Sequence, residues 1–353
     1  MTHRQPAQNL KVPSWDAQRY NHAMQYGFLG TTGVRVSAVA LGTMSFGGDA
    51  DPDASEAIFR ACLDAGVNLF DCADVYNGGR SESILGPLIR SCRDDIVLTT
   101  KAYFPVRKAP NARGSSRYHL VNAVEASLER LKTDRIDVFF LHRWDESTDI
   151  EETLRGIELL VQSGKILYPA ASNFAAWQAM KALGVARSNG WAPLTCIQPM
   201  YNLAKRQAES ELLPMAASEG LGVLPYSPLG GGLLTGKYGR KTRPQTGRLV
   251  DNPMYVTRYG AQTNYEIAQG LTELADEAGV HPVTLAVAWV RANPAVTAPL
   301  IGGRSVAQIA PALAAADYTL DAALKGRLDA LSTAPAIATD RNEEQTENNY
   351  GSR

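Results

Sequence analysis

The feature that most limits what this chain can fold into is an alternation. From Val39-Ala40-Leu41 onward, a short apolar run is followed by a helical pattern, eight times, with no break in composition. The later apolar runs are Val67 to Phe70, Ile96 to Thr100, Ile136 to Leu141, Lys165 to Ala171, Leu194 to Gln198, Gly222 to Pro225 and Val296 to Ile301. Helical patterns lie between them at about Ala54 to Ala65, Glu82 to Arg90, Tyr118 to Leu131, Ile150 to Gln162, Ala175 to Leu183 and Ala208 to Glu219. Two more precede the last run. Strands that alternate with helices form parallel βαβ units, and eight such units close most naturally into a (β/α)8 barrel of the TIM type.

An open doubly wound sheet is the rival. It binds its nucleotide through Gly-x-Gly-x-x-Gly after the first strand. Here that strand is followed by Gly42-Thr43-Met44-Ser45-Phe46-Gly47-Gly48, which lacks the spacing. Met24 to Phe28 and Val34 to Val36 flank Gly30-Thr31-Thr32-Gly33, a hairpin placed to plug the bottom of the barrel. The Gly-, Pro- and Arg-rich stretch from Leu229 to Gln262, after the seventh barrel strand, is too long for a mere connection and reads as a lid or binding loop. Residues 24–337 are thus expected to form one barrel domain, with a flexible arm over 1–23 and a disordered polar tail over 338–353.

Composition narrows the function. With 353 residues the chain buries a core without staples, and a net charge of −1 gives no electrostatic reason to expect nucleic acid or an acidic membrane as partner. No run of 18 apolar residues and no signal-peptide core is present. The four cysteines have no framework spacing, so free thiols in a reducing cytosol are expected and the location is cytoplasmic. The five histidines include no His-x-x-x-His pair, and no metal site is expected.

The strand ends carry the chemistry. The second delivers Asp71, with Tyr76 five residues on; the third delivers Lys101 and the fourth His142. A free phenol, with a pKa near 10, is a poor proton donor. A lysine ammonium beside it lowers that value, a carboxylate keeps the lysine charged and fixed, and a histidine donates to the same substrate oxygen. Together they stabilise an oxygen that gains negative charge and then a proton, as when a carbonyl becomes an alcohol. None of them supplies hydride, so a cofactor must. Ser172-Asn173, Gln198, Tyr226-Ser227 and Arg304-Ser305 at later strand ends suit a clamped ring and held phosphates.

Seven stretches in order resemble the aldo-keto reductase superfamily. They are Phe70-Asp71-Cys72-Ala73-Asp74-Val75-Tyr76, Thr100-Lys101, Phe140-Leu141-His142-Arg143-Trp144-Asp145, Ala171-Ser172-Asn173-Phe174, Ile197-Gln198-Pro199-Met200-Tyr201-Asn202, Pro225-Tyr226-Ser227-Pro228-Leu229 and Ile301-Gly302-Gly303-Arg304-Ser305. The resemblance implies NADP(H) extended across the barrel mouth. It makes Tyr76 the general acid, with Lys101 lowering its pKa, Asp71 pairing with Lys101 and His142 orienting the carbonyl. Ser172, Asn173 and Gln198 would hold the carboxamide and Tyr226 would stack on the ring. Ser227, Pro228, Leu229, Gly231 and Lys237 would face the pyrophosphate, Arg304, Ser305 and Gln308 the adenosine end, and Gly42, Thr43, Met44 and Asp71 would complete the contacts. A guanidinium at Arg304 suits a 2′-phosphate. The chain departs from the family at Cys72, usually a hydroxyl residue, at Ala307, commonly Glu, and at Ala312, often an adenine-contacting Asn.

Phe46, Tyr103, Phe104, Trp144 and Trp177 are candidates to line a substrate pocket. Arg143 either meets a polar substrate or pairs with Asp145. Gly231-Gly232-Leu233-Leu234-Thr235-Gly236-Lys237 imitates a phosphate-binding loop, but Tyr238 stands where Ser or Thr would hold Mg²⁺. The expected activity is NADP(H)-dependent interconversion of carbonyls and alcohols. The same fold acting as a cofactor-binding regulatory or sensor subunit with slow turnover is the alternative. The substrate, the direction and the oligomeric state are not set by the sequence.

Overall fold

The computed structural model of the chain describes residues 24–336, so the arm expected over 1–23 and the tail expected over 338–353 lie outside the described residues. Two short strands, β1 (Tyr26–Phe28) and β2 (Arg35–Ser37), form an antiparallel hairpin. Eight parallel strands follow: β3 (Ala40–Gly42), β4 (Leu69–Asp71), β5 (Val97–Ala102), β6 (Ile136–Leu141), β7 (Ile166–Ser172), β8 (Cys196–Gln198), β9 (Gly222–Val223) and β10 (Leu300–Ile301). They pair in chain order, and β10 pairs with β3. The remaining seam is closed by the segment that leads into β10. The Thr297 and Ala298 amides both donate to the Val223 carbonyl, and the Leu300 amide donates to Pro225 at 2.9 Å. The sheet is therefore a barrel.

Alternation along each strand sorts side chains into two cores. Leu69, Val97, Val138, Phe140, Ala170 and Leu224 fill the interior, whereas Phe70, Leu98 and Phe139 face the helices. Leu29 and Val36 from the hairpin join the interior cluster, which makes the hairpin its plug. A Cβ at Gly30 would lie 2.6 Å from Gly220 O and Gly222 N, and its φ is +54°, so only glycine lets the turn seat against β9. The helices pack as their periodicity requires. Ile150–Gln162 buries Ile150, Leu154, Ile157 and Leu160, and Asp149 caps it by accepting from the Glu151 amide.

The long connection after β9 is built rather than slack. It holds a 3-10 turn (Gly230–Gly232) and two short helices, Arg248–Asp251 and Pro253–Tyr259. Tyr238, Tyr255 and Tyr259 are buried in it. A Cβ at Gly231 would meet the Tyr255 ring at 2.4 Å, and φ is +67°, which explains the glycine there. No helix starts at Lys237, so the stretch lacks the loop-to-helix geometry of a phosphate-binding loop. Among the described residues, no helix is long and apolar enough to cross a membrane.

Candidate active site

The interior alternation that gives Val97 a core position also points Thr99 and Lys101 inward, two and four residues further up β5. The same rule points Asp71 inward on β4 and Gln198 inward on β8. These groups meet at the C-terminal mouth. Lys101 Nζ donates to Asp71 Oδ2 at 2.6 Å, to the Cys72 carbonyl at 2.6 Å and to the Tyr76 hydroxyl at 3.4 Å. Asp71 Oδ1 accepts from the Thr99 hydroxyl at 2.6 Å and from Gln198 Nε2 at 2.9 Å. Lys101 is 0% and Asp71 1% exposed, so this is a fully desolvated pair, not a surface charge and a turn cap. Such a pair holds only when the remaining hydrogen-bonding capacity is filled, as it is here.

His142 completes the group. Its ring stands edge-on to Tyr76, with centroids 6.1 Å apart, and edge-on to Phe104 at 5.1 Å. Burial, helped by the Lys101 ammonium, drives the His142 pKa down to about 3, so the imidazole is neutral at physiological pH. Its Nδ1 is buried without a hydrogen-bond partner among the described residues. Burial works against the Lys101 ammonium, yet Asp71 and Tyr76 outweigh it and the net shift is upward. For Tyr76 the sequence leads one to expect a lowered pKa. Lys101 does act in that direction, but burial is larger, Asp71 and Cys72 add to it, and the phenol sits at about 12. Tyr76 is therefore held as a protonated acid.

The next strand ends form a connected layer. Asn173, at φ +56°, donates to the His142 carbonyl at 3.0 Å and to Ser172 Oγ at 3.1 Å, and accepts from the Tyr226 hydroxyl at 2.7 Å. Ser172 Oγ donates to the Gln198 carbonyl. Gln198 spends its amide nitrogen on Asp71, and its Oε1 has no partner among the described residues. Ser227, also at φ +56°, has its carbonyl held by Asn202 Nδ2. Beyond β10, Ser305 caps the helix Val306–Ala314, and the Gln308 side chain accepts from the Arg304 amide. Lys237 is depressed first by burial and then by the positive charges of Arg304 and Arg248.

Several of the expected site residues also have contacts within the fold. Thr43 is fully buried, with its amide and its hydroxyl both on the Asp71 carbonyl, because it extends the parallel β3–β4 ladder one residue past Gly42. Phe46 is fully buried in the outer core and does not line the mouth. A Cβ at Gly42 would make only an ordinary contact, 3.5 Å from the Ile301 carbonyl, whereas one at Gly302 would lie a tight 3.1 Å from the Gly42 carbonyl. Met44 is exposed beside them, Pro228 is buried and Leu229 half-buried. Tyr103 packs on Phe104, which stands against His142, while Trp144 packs on Phe174 and on the exposed Trp177 as a second aromatic group. Arg143 is exposed and makes no ion pair with Asp145, whose oxygens accept instead from the Ser115 and Ser147 amides and the Thr148 hydroxyl. Thr99 and Asn202 were not singled out from sequence. Inward alternation two residues before Lys101 was the available signal for Thr99.

A parallel eight-stranded barrel with an Asp, Tyr, Lys and His set at its C-terminal mouth defines an oxidoreductase-type site. The sequence model of the aldo/keto reductase family matches residues 38–333, and the chain belongs to that family. It is 37% identical over 327 residues to the uncharacterized oxidoreductase YrpG of Bacillus subtilis, covering 90% of this chain and 98% of that one. It is also 37% identical to a probable voltage-gated potassium channel subunit beta of Arabidopsis thaliana, over 83% of this chain and 92% of that one. A putative subunit of the same kind from Schizosaccharomyces pombe is 32% identical over 83% and 88%.

Proposed function

We propose that the chain is an NADP(H)-dependent oxidoreductase that interconverts aldehydes or ketones and alcohols. The observation that carries this is the buried Lys101 ammonium, bonded at once to Asp71 and to the Tyr76 hydroxyl. A bound nicotinamide would supply the hydride. Tyr76 then gives its proton to the carbonyl oxygen as negative charge builds there, and Lys101 stabilises the phenolate left behind. Neutral His142 donates one N–H to the same oxygen and turns the carbonyl towards the phenol. In the alcohol-oxidising direction the same groups take the proton back.

The residues present suit a dinucleotide. Gln198 Oε1, Ser172 and Asn173 offer a carboxamide both donors and acceptors, and Tyr226 is pinned by its hydroxyl with its ring at the mouth. The Lys237, Arg248 and Arg304 group matches phosphates, and Arg304 is the exposed guanidinium for a 2′-phosphate. Titration of the tryptophan fluorescence should show NADPH quenching at lower concentration than NADH. Arg304→Ala should weaken NADPH by roughly tenfold or more and leave NADH unchanged, since charged hydrogen bonds are each worth about 1.5–3 kcal/mol. Equal binding of both by the wild type would remove the role given to Arg304; binding of neither would remove the proposal.

The potassium channel beta subunits among the relatives favour a second reading, a nicotinamide-binding sensor or regulatory subunit with slow turnover. A stable protein partner recovered with the chain, together with turnover below about one per minute on every carbonyl tried, would select it over typical enzyme rates of 1–10³ per second.

A further inference from the structure

Between Asp71 and Tyr76 stands a second carboxylate, Asp74, which the chemistry above leaves unused. It is 1% exposed, and neither of its oxygens has a hydrogen-bond partner among the described residues. Its own amide donates to the Lys101 carbonyl at 3.0 Å, which ties it to the strand that carries the ammonium. Beside it lies a buried ion pair. Glu82, 0% exposed, accepts from Arg130 at 2.7 Å through one oxygen and from the Thr100 hydroxyl at 2.6 Å through the other. The groups that face Asp74 are therefore Glu82 from the following helix, Arg130 from the helix Arg117–Leu131, Lys101 from β5, and the Val75 amide, which does not reach hydrogen-bond geometry. Arg130 is already committed to Glu82, and Lys101 to Asp71.

An ionised carboxylate without donors in such a place is costly, and the group escapes by keeping its proton. We propose that Asp74 is a positioning residue for the proton relay: as a neutral acid it leaves Lys101 with one counter-carboxylate, Asp71, and its ionisation adds a second negative charge beside Lys101 that weakens the ammonium's support of a Tyr76 phenolate and so weakens the phenol as a proton donor. The inference rests on the reductase reading, since the relay is its subject. Burial, followed by the repulsion of Glu82, raises the Asp74 pKa to about 8, with Arg130, the Val75 amide and Lys101 opposing.

The sign follows from the proton. A carboxyl whose folded pKa lies above its unfolded value binds its proton more tightly in the folded state. Its stabilising effect is full at pH below about 4 and is lost as pH rises towards 8. Two measurements on the full chain test this. In the first, carbonyl reduction by the wild type should fall as pH rises through about 8. Asp74→Asn, which stays neutral, should lose that limb, Asp74→Glu should keep one, and Glu82→Gln, which removes the nearest repulsion, should move it to lower pH. In the second, the melting temperature of Asp74→Asn relative to the wild type should rise from pH 5 to pH 8. A role in packing alone would offset the two melting curves equally at every pH.

A wild type that reduces carbonyls without this limb, or an Asp74→Asn protein that keeps it, would overturn the role of Asp74 and leave the reductase reading standing. A wild type that reduces no carbonyl at any pH would overturn both. If Asp74→Asn fails to fold, the shift expected of Glu82→Gln carries the test, and an unmoved limb there refutes the proposal.

Discussion

Tyr76→Phe is expected to abolish turnover while leaving the protein folded and able to bind NADPH. The phenol oxygen makes one long contact, 3.4 Å from Lys101 Nζ, and the ammonium keeps both its shorter bonds, to Asp71 and the Cys72 carbonyl, when the hydroxyl is removed. Little stability is at stake. What disappears is the protonated acid bonded to the ammonium, and positioned acid catalysis contributes about 10²–10⁴-fold. The drop should fall on kcat for carbonyl reduction, with the fluorescence titration by NADPH unchanged. Near-normal rates in Tyr76→Phe would sink the mechanism. A protein that also loses NADPH would show that Tyr76 holds the cofactor and would leave its acid role unproved.

Lys101→Met should damage both stability and activity. It leaves the Asp71 carboxyl, 1% exposed, without its cation and with the Thr99 hydroxyl and Gln198 amide as its remaining donors among the described residues. Breaking a buried pair from one side costs about 3–5 kcal/mol, mainly because the survivor's charge is uncompensated. The double variant Asp71→Asn with Lys101→Met removes that charge and should recover most of the loss in urea unfolding. It should recover none of the activity, since nothing then stabilises the Tyr76 phenolate. Additive losses of stability in the double variant would show that the pair is not held together by charge.

How far the sequence could be read depended on where each signal was local. β6 and the helix Ile150–Gln162 stand where apolar runs and periodicity put them, to the residue. The helix expected to end at Leu183 runs on to Asn189, because Gly184 sits in open space and is tolerated mid-helix. The true stop is Gly190, at φ +67°. β5 is expected from its sequence to end at Lys101. It runs one residue further, since Ala102 still pairs with Leu141 of β6, and Lys101 within it turns inward to a carboxylate on the neighbouring strand. The four catalytic candidates were legible from their strand ends and from the family resemblance. Their mutual geometry was not, since Gln198 reaches Asp71 across 127 residues of chain. Nor was the fate of Thr43 and Phe46. Residues beside a motif carry no local mark that tells a ligand contact from a core position.

The closing seam has a consequence for the order in which the chain is made. A ribosome releases Asp71, Tyr76, Lys101 and His142 within the first half of synthesis, but the partner that fills the Asp71 carboxylate, Gln198, comes later. The Thr297, Ala298 and Leu300 amides that bind the Val223 and Pro225 carbonyls come later still. A nascent chain that has passed His142 but not reached β10 therefore carries these groups without the wall that orders them. The barrel that brings these groups together is complete only once β10 has emerged, so an N-terminal product of interrupted translation that stops short of it cannot close the wall around them.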